Sequence, residues 1–396
     1  MLRKGVTWFL SGNRSQASSR LQGYLIHDKL KQMNFFSDLF LAPPFKIHDV
    51  PWQEERLQII ANSVCTSIAV FQKLNGPKVD KLITLLRQRG IKTIYIECDL
   101  RPNIQSPFLC DQIVVPSQFL VSHFSQNNVG CTFIPDPIEH LVSYEDIRHH
   151  HEQKWERNRL RLAWVGHKDN WDTCCELRAV LQEHQSDYQL ITISNHPDAD
   201  FVWSLDTVVD DILRNDIAVI PSMADSRYEA KSSNRALLFM AVGLPVIAAD
   251  ILAYRTLITH GEDGFICDSL EEWLEALKKL RDPKVRLKTA YKAYNNIVPQ
   301  FALERIIEQW LSVFELDITS FEGNTSNNTK SKYSYHRQKA LVYMETYIYL
   351  CKREARRRCW QNTLYYWALA TFNLCLNWQG LRFYLRSLFG LLVKQS

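Results

Sequence analysis

Residues 216–250, DIAVIPSMADSRYEAKSSNRALLFMAVGLPVIAAD, set two short apolar runs on either side of a polar loop and a helical stretch. Ile217 to Ile220 and Val246 to Ala249 are apolar throughout, as expected for parallel strands covered on both faces. Between them, Lys231-Ser232-Ser233-Asn234 opens a helix that runs through Ala236 to Ala241. Ser232 or Ser233 is placed to cap it, and Gly243 followed by Pro245 ends it. A helix that begins on the carboxyl side of a parallel sheet presents unpaired backbone N–H groups and a partial positive charge. Lys231 and Arg235 add full charges beside them, so the expected ligand is an anion, above all a phosphate.

The same alternation extends in both directions. The first third reads VTWFL, a helix from about Ser19 to Met33, SIAVFQK, a helix from about Pro77 to Arg89 ended by Gly90, then KTIYIE and QIVVPS. Such a series predicts an α/β domain with a parallel sheet. TFIPDPIEHLV leads into the polar stretch 143–159, which reads as a crossover whose His149-His150-His151 run is solvated. A second unit starts at Leu160 with LRLAWVG and a helical run CCELRAVLQEH. Residues 301–316 have helical apolar spacing, and the polar, turn-rich residues 317–332 read as a linker.

The string KSSNRALLFMAVGLPVIAAD resembles the donor-site segment of sugar-nucleotide-dependent glycosyltransferases of the GT-B fold, in the retaining group that carries a Lys-Ser-x-Asn-Arg run. The resemblance implies two Rossmann-like domains facing a cleft. The first, 1–145, would lie on the acceptor side, the second, 159–300, would bind the nucleotide sugar, and helix 301–316 would return to the first. It also implies that Lys231 and Asn234 hold the donor diphosphate. Relatives carry a Glu four residues after the Asn to bind the ribose; here that position is Leu238, and the partner position of the two-Glu pattern is Ala230. Glu229 is the nearest carboxylate in sequence.

Other candidates follow from position. Gly166-His167-Lys168-Asp169-Asn170 is a strand-to-helix loop in which Gly166 would admit a phosphate to the backbone and Lys168 would neutralise it. The donor set is therefore Gly166, Lys168, Lys231, Ser232, Ser233, Asn234 and Arg235, with Lys231 and Lys168 stabilising the leaving diphosphate. In the first domain, Gly12, Arg14, Ser19 and Arg20 occupy the corresponding turn and suit the acceptor side. Asp99 and Arg101 also end a strand. Asp198-Ala199-Asp200 has the spacing of a metal-binding DxD pair, but two nucleotide-fold units and a phosphate site that already has cationic side chains argue against it, so neither metal nor cofactor is expected.

Charge separates the body from the tail. Residues 333–396 carry a formal +8 and residues 1–332 a formal −4, which argues against a chain-wide nucleic-acid footprint. That tail, rich in Trp, Tyr and Leu, reads as an α-helical extension suited to an anionic membrane surface or to packing on itself. No cleavable signal or spanning segment is expected, which suggests a cytoplasmic protein, peripheral at the inner face of a membrane. Ten cysteines without a CxxC pair read as reduced thiols. The expected function is transfer of a sugar from a nucleotide diphosphate to a glycan, lipid-linked or other acceptor. The alternatives are a non-catalytic nucleotide- or glycan-binding protein and a nucleotide-sugar epimerase on the same scaffold.

Overall fold

The computed structural model describes residues 2–43, 46–50, 52–126, 129–223 and 226–316; the linker and the basic tail anticipated beyond 316 lie outside them. Two six-stranded sheets form. The first contains β1 (Arg3–Leu10), β2 (Ser37–Leu41), β3 (Thr66–Gln72), β4 (Lys92–Ile96), β5 (Gln112–Val115) and β6 (Gly130–Phe133), in the order β2-β1-β3-β4-β5-β6. The second contains β7 (Leu160–Gly166), β8 (Tyr188–Ser194), β9 (Phe201–Val202), β10 (Ile217–Ile220), β11 (Val246–Ala249) and β12 (Phe265–Cys267), in the order β12-β11-β10-β7-β8-β9. The chain divides into two compact units, one of residues 1–96, 102–113 and the residues from Phe314, the other of 97–101 and 114–313.

In the first unit, β1 pairs in parallel with β2 and β3, and its last six residues are all buried. This is why VTWFL is apolar without alternation: both faces of a central strand are covered. Phe9 stacks on Phe71 with ring centroids 4.7 Å apart, while Trp8 meets Phe314 edge-on at 6.0 Å and donates its indole N–H to Ser37 Oγ at 2.8 Å. The helix expected from Ser19 to Met33 is irregular. Ala17–Ser19 passes into a π turn, Arg20–Tyr24, before regular geometry resumes in α1 (Leu25–Gln32). α2 (Pro77–Gln88) starts on its proline and finishes just before Gly90, whose φ of 73° lies in the left-handed region.

In the second unit, β10 pairs with β11 in the register Ala218↔Val246, Val219↔Ile247 and Ile220↔Ala248, and with β7 on its other edge. The stretch 143–159 departs from expectation. Its first part is α3 (Tyr144–Glu152), capped by Ser143, whose Oγ accepts from Asp146 N at 3.1 Å. His151 is only 6% exposed, with its ring nitrogen 2.8 Å from Gly243 O, so the histidine run is not wholly solvated. Helical periodicity explains the difference: Ile147 and His151, four apart, share the packed face. Burial pushes the His151 pKa down to about 4, and burial likewise lowers Lys154 to about 8 even though Asp216 opposes the shift. Lys154 Nζ donates to Leu213 O and, at 2.6 Å, to Asn215 O.

The helix expected over 301–316 begins later. Phe301 still belongs to a 19-residue helix, Pro283–Phe301, and a break at Ala302 precedes Leu303–Phe314. Among the described residues no helix is long and apolar enough to cross a membrane, and the seven cysteines are free.

Candidate functional site

The helix anticipated after β10 is α4 (Asn234–Ala241). Ala236, Leu237, Phe239 and Met240 are buried in the second unit's core, which fixes the helix against the sheet. Gly243, at φ 82°, closes it; a Cβ there would lie 2.5 Å from Ile147 Cγ1, so the position demands glycine by conformation and by space. Helix propensity alone does not set the other end. Ser233 occupies the N-cap position but makes no side-chain capping bond, contrary to the sequence expectation. Its backbone sits at φ −77° and ψ 8° rather than in the extended region from which a cap side chain reaches back.

Ser232 lies one residue before the N-cap position, and its hydroxyl donates to Asp136 Oδ2 at 2.6 Å. The residue before it, Lys231, forms an ion pair with Asp99, Nζ to Oδ1 3.1 Å. One residue earlier still, Ala230 O accepts from Ser117 Oγ at 2.9 Å. Three successive residues are thus held by three side chains from residues 99–136, all within the second unit. Of these, Asp99 was visible as a polar strand end, whereas nothing local marks Ser117 or Asp136. Arg235 keeps a buried Nη1 without a hydrogen-bond partner among the described residues. The site therefore combines an uncapped helix start, a lysine whose charge is met by one carboxylate, and an arginine with an unused donor. Such a set can receive an anion.

Around it, the carboxylate questions resolve structurally. Leu238 packs on the apolar core of the second unit, and Glu229 Oε2 accepts from Leu252 N at 3.3 Å, at the start of a short helix. Asp200 spends Oδ2 on Thr192 N and Oγ1 at 2.8 and 2.7 Å, which ties the turn before β9 to β8. Among the described residues no group of three or more His, Cys, Asp or Glu is arranged to hold a metal ion.

The other predicted residues fall in two places. In the loop after β7, Lys168 is exposed, and its backbone N–H donates to Asn195 Oδ1 at 2.8 Å. Gly166 has a reason unrelated to phosphate: a Cβ there would sit 2.4 Å from Cζ2 of Trp164, which lies on the same face two residues earlier. In the first unit, the polar groups of the turn after β1 pair with one another and with Gln72 of β3. Ser19 is buried and donates to Gln72 Oε1 at 3.1 Å; Arg14 pairs with Asp28 at 2.8 Å; Arg20 is 7% exposed and donates to Arg14 O at 2.8 Å. The guanidinium of Arg20, expected on the acceptor side, is therefore folded inward, and a Cβ on Gly12 would meet the Gln16 amide.

Residues 139–282 match the family model described as Glycosyl transferases group 1, a span that includes the loop after β7 and all of α4. No curated protein sequence matches the chain. Among solved structures, a glycosyltransferase from Rickettsia africae is similar at a TM-score of 0.58 and 12% identity, covering 81% of this chain and 100% of that one. HepE from Anabaena, solved in complex with UDP and glucose, gives a TM-score of 0.57 at 12% identity over 79% of this chain and 100% of its own. TarM of S. aureus matches at a TM-score of 0.44 and 13% identity over 62% of this chain, which spans about half, 54%, of TarM. The two larger scores place the paired parallel sheets in the GT-B architecture.

Proposed function

We propose that the protein is a glycosyltransferase that moves a sugar from a nucleoside diphosphate to a glycan, a lipid-linked saccharide or another hydroxyl acceptor. The observation that carries this reading is the start of α4, inside the segment that matches the group 1 glycosyltransferases: Lys231 and the unpaired Arg235 Nη1 flank a helix N-terminus with no side-chain cap. The diphosphate would be held by backbone N–H groups, Lys231, Ser232, Ser233, Asn234 and Arg235, with Lys168 and the Gly166 turn contributing from the loop after β7.

In the transfer, the bond from the anomeric carbon to the diphosphate oxygen breaks as the bond to the acceptor oxygen forms. Negative charge grows on the leaving oxygen, where the helix N-terminus and Lys231 stabilise it. Under the retaining outcome that the family resemblance implies, the acceptor attacks on the leaving-group side and its proton passes to the departing phosphate. No protein base is then required. Because cationic groups and N–H donors do the work, turnover proceeds without a divalent metal. The first-unit residues Gly12, Arg14, Ser19 and Arg20 belong to the acceptor side in this scheme, with the basic tail supplying contact to an anionic membrane surface.

The test is a thermal-stabilisation screen with nucleoside diphosphates, followed by product analysis with the corresponding nucleotide sugars, with and without excess chelator. A second reading, binding without turnover, is favoured by one feature: position 238 on α4 is a leucine packed in apolar surroundings, and Glu229, in the short helix before it, is engaged at Leu252 N. Stabilisation by a nucleoside diphosphate with no sugar transfer to any of a panel of saccharide acceptors would select that reading.

A further inference from the structure

The ion pair between Lys231 and Asp99 has a consequence for the proposed donor site. Lys231 is the only full positive charge in the loop Ala230-Lys231-Ser232, and its ammonium is already neutralised at 3.1 Å by the carboxylate of Asp99, in the segment 97–101 of the same unit. The pair is partly exposed, with side-chain accessibilities of 36% for Lys231 and 29% for Asp99, so water and a ligand reach both. Asp99 is itself held in place. Its N–H donates to Glu97 Oε1 at 3.2 Å, and Glu97, fully buried, is locked by Arg101, whose Nε lies 2.9 Å from Oε2. A diphosphate that binds Lys231 must take over a contact that Asp99 holds, against the repulsion of a carboxylate that stays nearby.

We infer that Asp99 is an affinity-setting residue of the donor site, a resident anion that occupies Lys231 until a diphosphate displaces it and that recaptures Lys231 when the diphosphate leaves. The inference rests on the reading of Lys231 as a diphosphate-binding group. Its physical basis is competition between two anions for one ammonium in a partly screened environment. The carboxylate lowers donor affinity and hastens release of the product nucleoside diphosphate. The two neighbouring tethers, Ser117 to Ala230 O and Asp136 to Ser232 Oγ, hold the backbone on each side, so the exchange needs only a side-chain movement of Lys231.

The experiment is calorimetric titration of the full chain with UDP and with inorganic pyrophosphate, using wild type, Asp99→Asn, Lys231→Ala and the double variant. Asn preserves the shape and hydrogen-bonding reach of Asp while removing its charge. The expected result is about two- to fivefold tighter binding of both probes to Asp99→Asn, the size of a partly exposed ion pair read as an equilibrium constant. That gain should vanish in the Lys231→Ala background, since the two substitutions act on one contact. Weaker binding by Asp99→Asn would overturn the inference in favour of Asp99 as a residue that orients Lys231. Unchanged binding by Asp99→Asn, with Lys231→Ala clearly weakened, would overturn it while leaving the donor-site reading intact. If Lys231→Ala binds both probes as wild type does, the donor-site reading fails and the inference falls with it. Circular dichroism and thermal melting of each variant establish that differences arise in folded protein.

Discussion

Two turns in this molecule occupy the same topological place, the carboxyl end of a parallel strand leading into a helix, yet they leave different groups over when their polar contacts are made. After β1, the polar groups pair with one another and with Gln72 of β3, whose buried Nε2 is the neutral donor left without a partner among the described residues. Ser11 N and Oγ and Ser19 Oγ converge on Gln72 Oε1 at 3.2, 2.9 and 3.1 Å, Arg14 takes Asp28, and Arg20 turns inward to Arg14 O. At the start of α4 the partners lie farther off in sequence, 96 to 132 residues away, and the donor left over, Arg235 Nη1, belongs to a charged group. An unused donor that carries charge, beside a helix start without a side-chain cap, has capacity left for an anion.

The contrast can be broken most severely by attacking the support behind α4. His151 lies against Gly243 O at the end of that helix, and burial depresses its pKa to about 4. A folded-state value below the unfolded 6.5 means that protonation favours the unfolded chain. The stability tied to neutral His151 is intact above pH 6.5, declines as pH falls through the interval, and is lost below about 4. The total is about 3 kcal/mol. Equilibrium unfolding of wild type and His151→Gln between pH 4 and 7.5 should show a shallower acid slope in the variant; parallel curves would show that His151 is not the titrating group.

Next in size, Lys231→Ala should cost about 1.5–3 kcal/mol in nucleoside diphosphate affinity without changing the melting temperature appreciably, whereas Arg14→Ala should leave that affinity unaltered. Calorimetry on both proteins compares the turns directly, and equal losses would erase the distinction drawn between them. A smaller difference separates the glycines. Gly166→Ala drives a Cβ into the Trp164 ring and should destabilise by about 1–2 kcal/mol, while Gly12→Ala meets only the end of the flexible Gln16 side chain and should cost less. Chemical denaturation measures both. Smallest of all, the exposed Arg14–Asp28 pair should contribute under about 1 kcal/mol, as a double-mutant cycle would establish.

The sequence made the sheets readable because buried parallel strands are apolar without interruption, as in Ile217 to Ile220, and because Gly90 and Gly243 end helices by conformations that other residues resist. It also located the loop that carries Lys231 and Arg235. It could not disclose that Ser232 answers to Asp136 or Lys231 to Asp99, since those pairs span 96 and 132 residues and leave no local periodicity. His151 was misread for a different reason. Three histidines in a polar stretch look uniformly solvated until the helix assigns one of them to the buried face. Gly166 was legible as a necessary glycine, but its cause, the Trp164 ring, depends on a side-chain orientation that spacing does not give.

The π turn at Arg20–Tyr24 bears on how this chain can tolerate insertions and deletions. Removing one residue from 20–24 would let the segment relax to ordinary α-geometry with no gap in its hydrogen bonding, and by local criteria the edited helix would be sounder. Yet each residue turns an α-helix by about 100°, so everything ahead of the deletion would be rotated relative to α1. Ser19 would swing away from Gln72, and Arg20 out of its enclosed position. The supernumerary residue keeps two stretches of one helix in different rotational phase, and a shortened homologue would have to rebuild the whole turn after β1 rather than lose one amino acid.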